Sequence, residues 1–223
     1  MDSFEILLLL FIFFYPILDI VLNRYKSDNK NIEYTKITLV LWVPTILLCY
    51  LYYTKSLSVS DFRLQLALNW QNTVVLGLIT IAIGYLILLV RSIVSSKELR
   101  TEVAAKFKPY VDLMPVTKSQ MWVFTCVVSV SAGICEELLF RAYLYNVLDS
   151  QLGMAAAIIS SSLIFGFWHI YLGWREVVRT SIMGAVLCGV YLFTGNIFIP
   201  ILMHVFIDVY SGTICYFAMR KQD

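Results

Sequence analysis

Apolar positions along this chain gather into seven runs separated by polar connections. The runs are Phe4–Val21, Ile37–Tyr53, Val74–Val94, Met121–Leu148, Met154–Leu172, Val177–Phe193 and Ile197–Met219. Each is near the roughly 20 residues that carry a helix across a bilayer. Strict apolar/polar alternation, the mark of a membrane barrel strand, is absent, and inside lipid a lone segment must satisfy its backbone as helix. The pattern predicts an all-α membrane protein, a polytopic bundle of about seven transmembrane helices forming a single transmembrane domain over residues 1–223. The opening Met1-Asp2-Ser3-Phe4-Glu5 has no basic stretch and no small-residue cleavage site follows, so the first run is expected to be a retained helix.

One connection has a pattern of its own. Between Ser96 and Lys108, Leu99, Val103 and Phe107 recur at i, i+4 and i+8, while Lys97, Arg100, Lys106 and Lys108 lie off that stripe. A short interfacial helix in the headgroup plane fits; so does a solvated charged connector. Pro109 and Pro115 end the segment before the fourth run.

Composition supports the membrane reading. The chain is 60% hydrophobic with mean hydropathy +0.78, and its 14% of charged residues is well below the roughly 25% of soluble domains. The lipid bilayer is therefore its first partner. No basic face is interleaved with exposed aromatics, which argues against nucleic acid. The five cysteines, Cys49, Cys126, Cys135, Cys188 and Cys215, all lie in apolar runs and read as small core residues. All basic residues except Lys55, Arg63 and Arg141 fall in alternate connections, in the ends of the runs that border them (Arg91, Arg179), or in the C-terminal tail. The positive-inside rule then places the N-terminus outside and the C-terminus in the cytoplasm.

Charge inside the runs is where chemistry is expected, because an ionisable group in the hydrocarbon is costly and persists where it pairs, meets a wet cavity or reacts. The fourth run holds Glu136, Glu137 and Arg141. Glu137 and Arg141 are i, i+4 and can pair. Glu136 points about 100° away and has no partner in its own helix, which leaves it free to act as a general base. His169 closes the fifth run in Phe165-Gly-Phe-Trp-His169. Counted from the turn near Ser150–Leu152 at about 1.5 Å per residue, Glu136 and His169 fall at similar depth on antiparallel neighbours. The seventh run holds His204 and Asp208, again i, i+4 on one face. His204 lies early in its run, which places it nearer the outside than Glu136 unless that helix begins deeper. The same count puts Glu136 about 20 Å from the outer turn, toward a cytoplasmic entrance.

Glu136-Glu137-x-x-x-Arg141, Phe165-x-x-x-His169 and His204-x-x-x-Asp208, in that order, resemble the three-motif signature of the CPBP family, the CAAX prenyl proteases and bacteriocin-processing or immunity proteins. The resemblance covers a protease-motif core at residues 119–210. It implies an intramembrane glutamic endopeptidase acting on a peptide or protein substrate, prenylated or otherwise membrane-associated, such as a CAAX protein or a bacteriocin leader. By position, Glu136 and His169 would activate water, and His204 with Asp208 would stabilise the oxyanion. Glu137, Arg141 and Phe165 would support the site. Many relatives have Asn at position 208. An ionised Asp208 cannot donate a hydrogen bond, so either it is protonated there or it orients His204 and keeps it cationic, the reading preferred here. Two histidines and a glutamate are also a possible zinc set, but no His-Glu-x-x-His helix is present, and the site is expected to work without a cofactor. The competing functional class is a catalytically silent scaffold or immunity protein that keeps the family's polar core.

Overall fold

The computed structural model describes residues 3–23, 25, 27–54, 63 and 69–220. Met1 and Asp2 of the opening segment and the basic residues Arg24, Lys26, Lys55 and Lys221 lie outside them. Among the described residues the chain is helical, with eight helices: α1 (Ser3–Asn23), α2 (Lys30–Tyr53), α3 (Trp70–Ser95), α4 (Lys97–Phe107), α5 (Lys118–Leu152), α6 (Met154–Phe167), α7 (Trp174–Thr194) and α8 (Phe198–Met219). Side-chain caps start several of them. Asn29, Asn69 and Ser96 accept from Asn31, Asn72 and Leu99 amides, and Thr117 forms a reciprocal capping box with Gln120. Glycines at positive φ, Gly153 and Gly173, bracket the ends of α6 and its following turn.

Six of these helices are long and apolar enough to cross a membrane. The fifth apolar run is the exception. Its regular part, α6, has 14 residues, about 21 Å at 1.5 Å per residue, against a core of roughly 30 Å. The run stops short because Trp168 and His169 leave the helix before a 3₁₀ turn at Ile170–Leu172.

α5 is the opposite case. Its 35 residues reach about 52 Å, and it is the most enclosed helix, with 61% of its apolar window buried against 6% for α3. It departs from regular α geometry at Phe124–Val128 and Leu138–Tyr145, where the backbone turns to π-helix. Widened turns release carbonyls, and neighbours use them. The Ala142 carbonyl accepts from Asn146 Nδ2 at 2.8 Å and from Tyr52 OH of α2 at 3.3 Å. Around α5 the core is formed by side chains such as Leu8, Leu48, Leu139, Phe140 and Tyr143.

Glycine sets the approach of α8 to α5. A Cβ on Gly133 would meet the Val205 side chain, and would sit 3.1 Å from the Val205 amide nitrogen and 3.2 Å from the Ile201 carbonyl. Backbone cannot yield as a flexible side chain does, so Gly133→Ala should lower unfolding stability by about 1–3 kcal/mol. Thermal melting in detergent would show it, and an unchanged melting temperature would mean that the helices are not held at this distance.

α4 is the short helix expected after the third run, and its apolar stripe is half-buried. Leu99, Val103 and Phe107 pack with Leu86 and Ile93 of α3 and Ile214 and Ala218 of α8. Of the cysteines, Cys135, Cys188 and Cys215 are buried, but Cys49 and Cys126 are exposed on the helix surfaces, where an apolar thiol suits lipid as well as core.

Connections that were sorted together by charge meet at one end of the bundle. Lys30 Nζ donates to the Val111 and Met114 carbonyls at 2.5 and 2.8 Å, and Tyr34 OH to the Leu113 carbonyl at 2.9 Å. Tyr110 OH donates to Glu176 Oε1 at 2.6 Å. That bond to a carboxylate raises the Tyr110 phenol above its ordinary range.

Candidate active site

The site is built on α5 where regular helix passes into the π segment, a kind of irregularity that recurs at functional positions. Glu137 and Arg141 pair as their spacing predicts, Nη1 to Oε1 at 2.8 Å, with both side chains buried. Arg141 is held twice more. Nη2 donates to the Gly184 carbonyl of α7 at 3.1 Å, and the guanidinium lies 4.4 Å from the Phe165 ring centre. Phe165 in turn stacks edge-on with Phe140, and its ring centre stands 5.2 Å from that of His169 and 6.0 Å from that of His204.

Glu137 has a second partner, which the sequence did not reveal. Its Oε1 lies 2.7 Å from His204 Nδ1. A carboxylate only accepts, so Nδ1 carries the hydrogen. The other ring nitrogen, Nε2, faces Glu136 Oε2 at 3.8 Å and Asp208 Oδ2 at 3.9 Å. These are ion-pair separations, too long for hydrogen bonds. Of the three carboxylates around His204, only Glu137 is within hydrogen-bonding distance.

His204 is not too shallow for this arrangement. Asn196 and Ile197 before α8 and Ile199 in its first turn are fully enclosed, so the helix starts inside the bundle and His204 reaches the glutamates within two turns.

His169 lies just past the end of α6. Its Nδ1 is 3.1 Å from the Phe165 carbonyl. A carbonyl cannot donate, so in the neutral ring Nδ1 holds the hydrogen and Nε2 keeps a lone pair. His169 and Glu136 line the same cavity, of about 930 Å³. Glu136 is 7% exposed, and its Oε2 has no hydrogen-bond partner. A buried carboxylate oxygen without a donor is costly in a purely structural role. His204 and Asp208 are not among the residues lining the cavity.

The cavity is lined in part by residues of the connections at the basic end, Glu33, Lys36, Tyr110, Asp112 and Arg175. Its inner wall includes Tyr15 and Asp19 of α1 beside Trp168. Neither was singled out from the sequence. Asp19 could have been, since it is another ionisable residue at the edge of an apolar run. Among the described residues no three His, Cys, Asp or Glu side chains form a group able to hold a metal ion.

Comparison with the curated proteins and with the solved structures gave no match. The family comparison gave one. Residues 118–210, which contain all three motifs from Glu136 to Asp208, match the family model described as type II CAAX prenyl endopeptidase Rce1-like, and the resemblance of this chain to the CPBP proteases rests on that match as well as on its motifs.

Proposed function

We propose that the protein is an intramembrane endopeptidase that hydrolyses a peptide bond with a water activated by Glu136 and His169. The family is one of membrane-embedded peptidases; the catalytic assignment is our own reading. The observation that carries it is the buried, unpartnered Oε2 of Glu136 on the wall of a cavity shared with His169. A water bound between them loses a proton to the Glu136–His169 pair as its oxygen attacks the scissile carbonyl carbon. The same proton passes to the departing amine nitrogen when the carbon–nitrogen bond breaks.

His204 serves the developing oxyanion. With Nδ1 donating to Glu137, a hydrogen on Nε2 makes the ring an imidazolium, and Glu136, Glu137 and Asp208 around it supply the balancing charge. Donors fixed in a water-poor site are worth more to a transition state than in water. Glu137, Arg141 and Phe165 position that donor without touching substrate.

Residues of the basic connections line the cavity, which supports a cytoplasmic peptide entrance under the positive-inside rule. Substrates of this reading are CAAX-type, prenylated or leader peptides that meet the membrane there. The purified protein, given such a panel, should cleave at least one member, and a Glu136→Ala variant should cleave none. Cleavage surviving in the variant rejects the base. Silence of the wild type across the panel leaves the scaffold or immunity reading, in which the same polar core only ties α5 to α8. Because no step is routed through a metal, phenanthroline should leave activity unchanged. Loss on chelation with recovery on added zinc would replace the glutamate mechanism by a zinc one.

A further inference from the structure

One hydrogen-bond donor is missing on the side of the site that borders the cavity. His204, which serves the oxyanion, is not among the lining residues, whereas Glu136 and His169 are. Oxyanions of acyl transfer are commonly held by more than one fixed donor, and a second one has to stand on the cavity wall.

Tyr171 stands there. It lines the cavity with Glu136 and His169 and follows His169 by two residues, in the 3₁₀ turn Ile170–Leu172. Two backbone bonds close that turn. The Leu172 amide donates to the His169 carbonyl at 3.0 Å and the Gly173 amide to the Ile170 carbonyl at 2.9 Å, so the backbone spacing of Tyr171 from His169 is fixed. α1 packs against the same turn. Among the described residues, the Tyr171 ring stacks on no other ring and its hydroxyl has no hydrogen-bond partner. A tyrosine inside a protein usually finds a partner for its hydroxyl, as Tyr34 and Tyr110 do with the Leu113 carbonyl and Glu176. Tyr171 also interacts electrostatically with Glu136 and Asp208, the two carboxylates that face His204 Nε2. The phenol thus shares the charge environment of the base and of His204 together.

Resting on the endopeptidase reading, we infer that Tyr171 is a further catalytic residue, its phenol O–H donating a hydrogen bond to the oxyanion from the cavity side while His204 Nε2 donates from within the bundle. As the water oxygen bonds to the carbonyl carbon, the carbonyl π pair moves onto its oxygen and the water proton passes to the Glu136–His169 pair. Tyr171 keeps its own proton, since a phenol ordinarily ionises only at about pH 10, and it stabilises the charge without neutralising it. On collapse the oxygen's electron pair re-forms the carbonyl, and the amine leaves with the carbon–nitrogen pair and takes the proton.

The test uses the full chain in lipid nanodiscs. One probe is the cleaved member of the peptide panel, or a farnesylated CAAX peptide if none is cleaved. The other is its difluoroketone isostere, in which CF₂ replaces the scissile N–H and the hydrated ketone mimics the tetrahedral carbon. Tyr171→Phe keeps the ring and removes the donor, and it should lower kcat about 10²- to 10³-fold with KM unchanged. Both probes are then titrated on the Glu136→Gln protein, which leaves the peptide uncut. The isostere should bind more tightly than the peptide, and adding Tyr171→Phe should weaken the isostere about 10- to 100-fold while the peptide is unaffected. Misfolding would lower both probes together and leave their ratio unchanged. Tyr15, whose phenol also interacts with Glu136, is the rival donor, and Tyr15→Phe should preserve the ratio. An isostere preference that Tyr171→Phe removes upholds the donor even if no peptide is cleaved, in which case only the peptidase reading falls. Equal affinity for the two probes, a preference that survives Tyr171→Phe, or one removed by Tyr15→Phe instead overturns the donor.

Discussion

Replacing Glu136 by glutamine should reduce kcat by about 10³- to 10⁴-fold while leaving the protein folded. General-base catalysis by a positioned side chain is worth about 10²–10⁴, and the substitution also disturbs the proton's route to the leaving amine. Glutamine keeps the shape and loses only the capacity to take a proton. The fold should tolerate it, because Glu136 Oε2 holds no hydrogen bond that the amide would break, and its closest charged contact, His204, is 3.8 Å away. Peptide binding should change little, so the loss belongs in kcat rather than KM. Rates measured under saturating substrate, beside a melting curve for each protein, check both halves. A Glu136→Gln protein with more than about a tenth of wild-type kcat would remove this residue from the base position. His169→Ala should produce a loss of the same order, and the double variant little more, since residues acting as one unit are not additive.

How much of this could be read from the chain alone depends on which force decides each feature. The helices were legible because lipid leaves the backbone one solution, and seven apolar runs became six long helices and one short one. The Glu137–Arg141 pair was legible because i, i+4 spacing acts within one helix. The contact from Glu137 to His204 was not. It depends on how closely α8 packs on α5, which Gly133 permits, and on a turn before α8 that starts inside the bundle. Counting residues from the end of an apolar run takes no account of how the start of a helix packs, and the start of α8 is enclosed by the bundle. The π segment of α5 was equally hidden, because no residue type announces it; its released carbonyl is satisfied by Tyr52 and Asn146, far apart in the chain. The α4 stripe illustrates a further ambiguity. A one-sided apolar helix looks the same whatever lies against it, and here α3 and α8 cover part of the stripe. The cavity wall from α1 lay outside the motif pattern, although Asp19 obeys the same energetic rule that drew attention to Glu136.

Arg141→Ala should be the most destabilising single change in the bundle, by about 3–5 kcal/mol, the range for removing one partner of a buried ion pair. Arg141 is 2% exposed and Glu137 fully buried, so neither can turn to water when the other is lost. Three attachments go at once: the pair with Glu137, the bond to the Gly184 carbonyl, and the contact with the Phe165 ring. Arg141→Lys should recover only part of the loss, because an ammonium lacks the planar fork that serves Glu137 and Gly184 together. The pair's own role can be separated from catalysis with a double variant. Glu137→Leu combined with Arg141→Met replaces the ions by apolar groups of similar volume and should regain much of the stability, as buried pairs elsewhere do. It should not regain activity, because His204 Nδ1 then has no carboxylate at 2.7 Å to hold the ring toward Glu136. A double variant that is both stable and active would show that Glu137 and Arg141 only tie α5 to its neighbours. One that is stable and inactive would identify the ion pair as the device that aims His204.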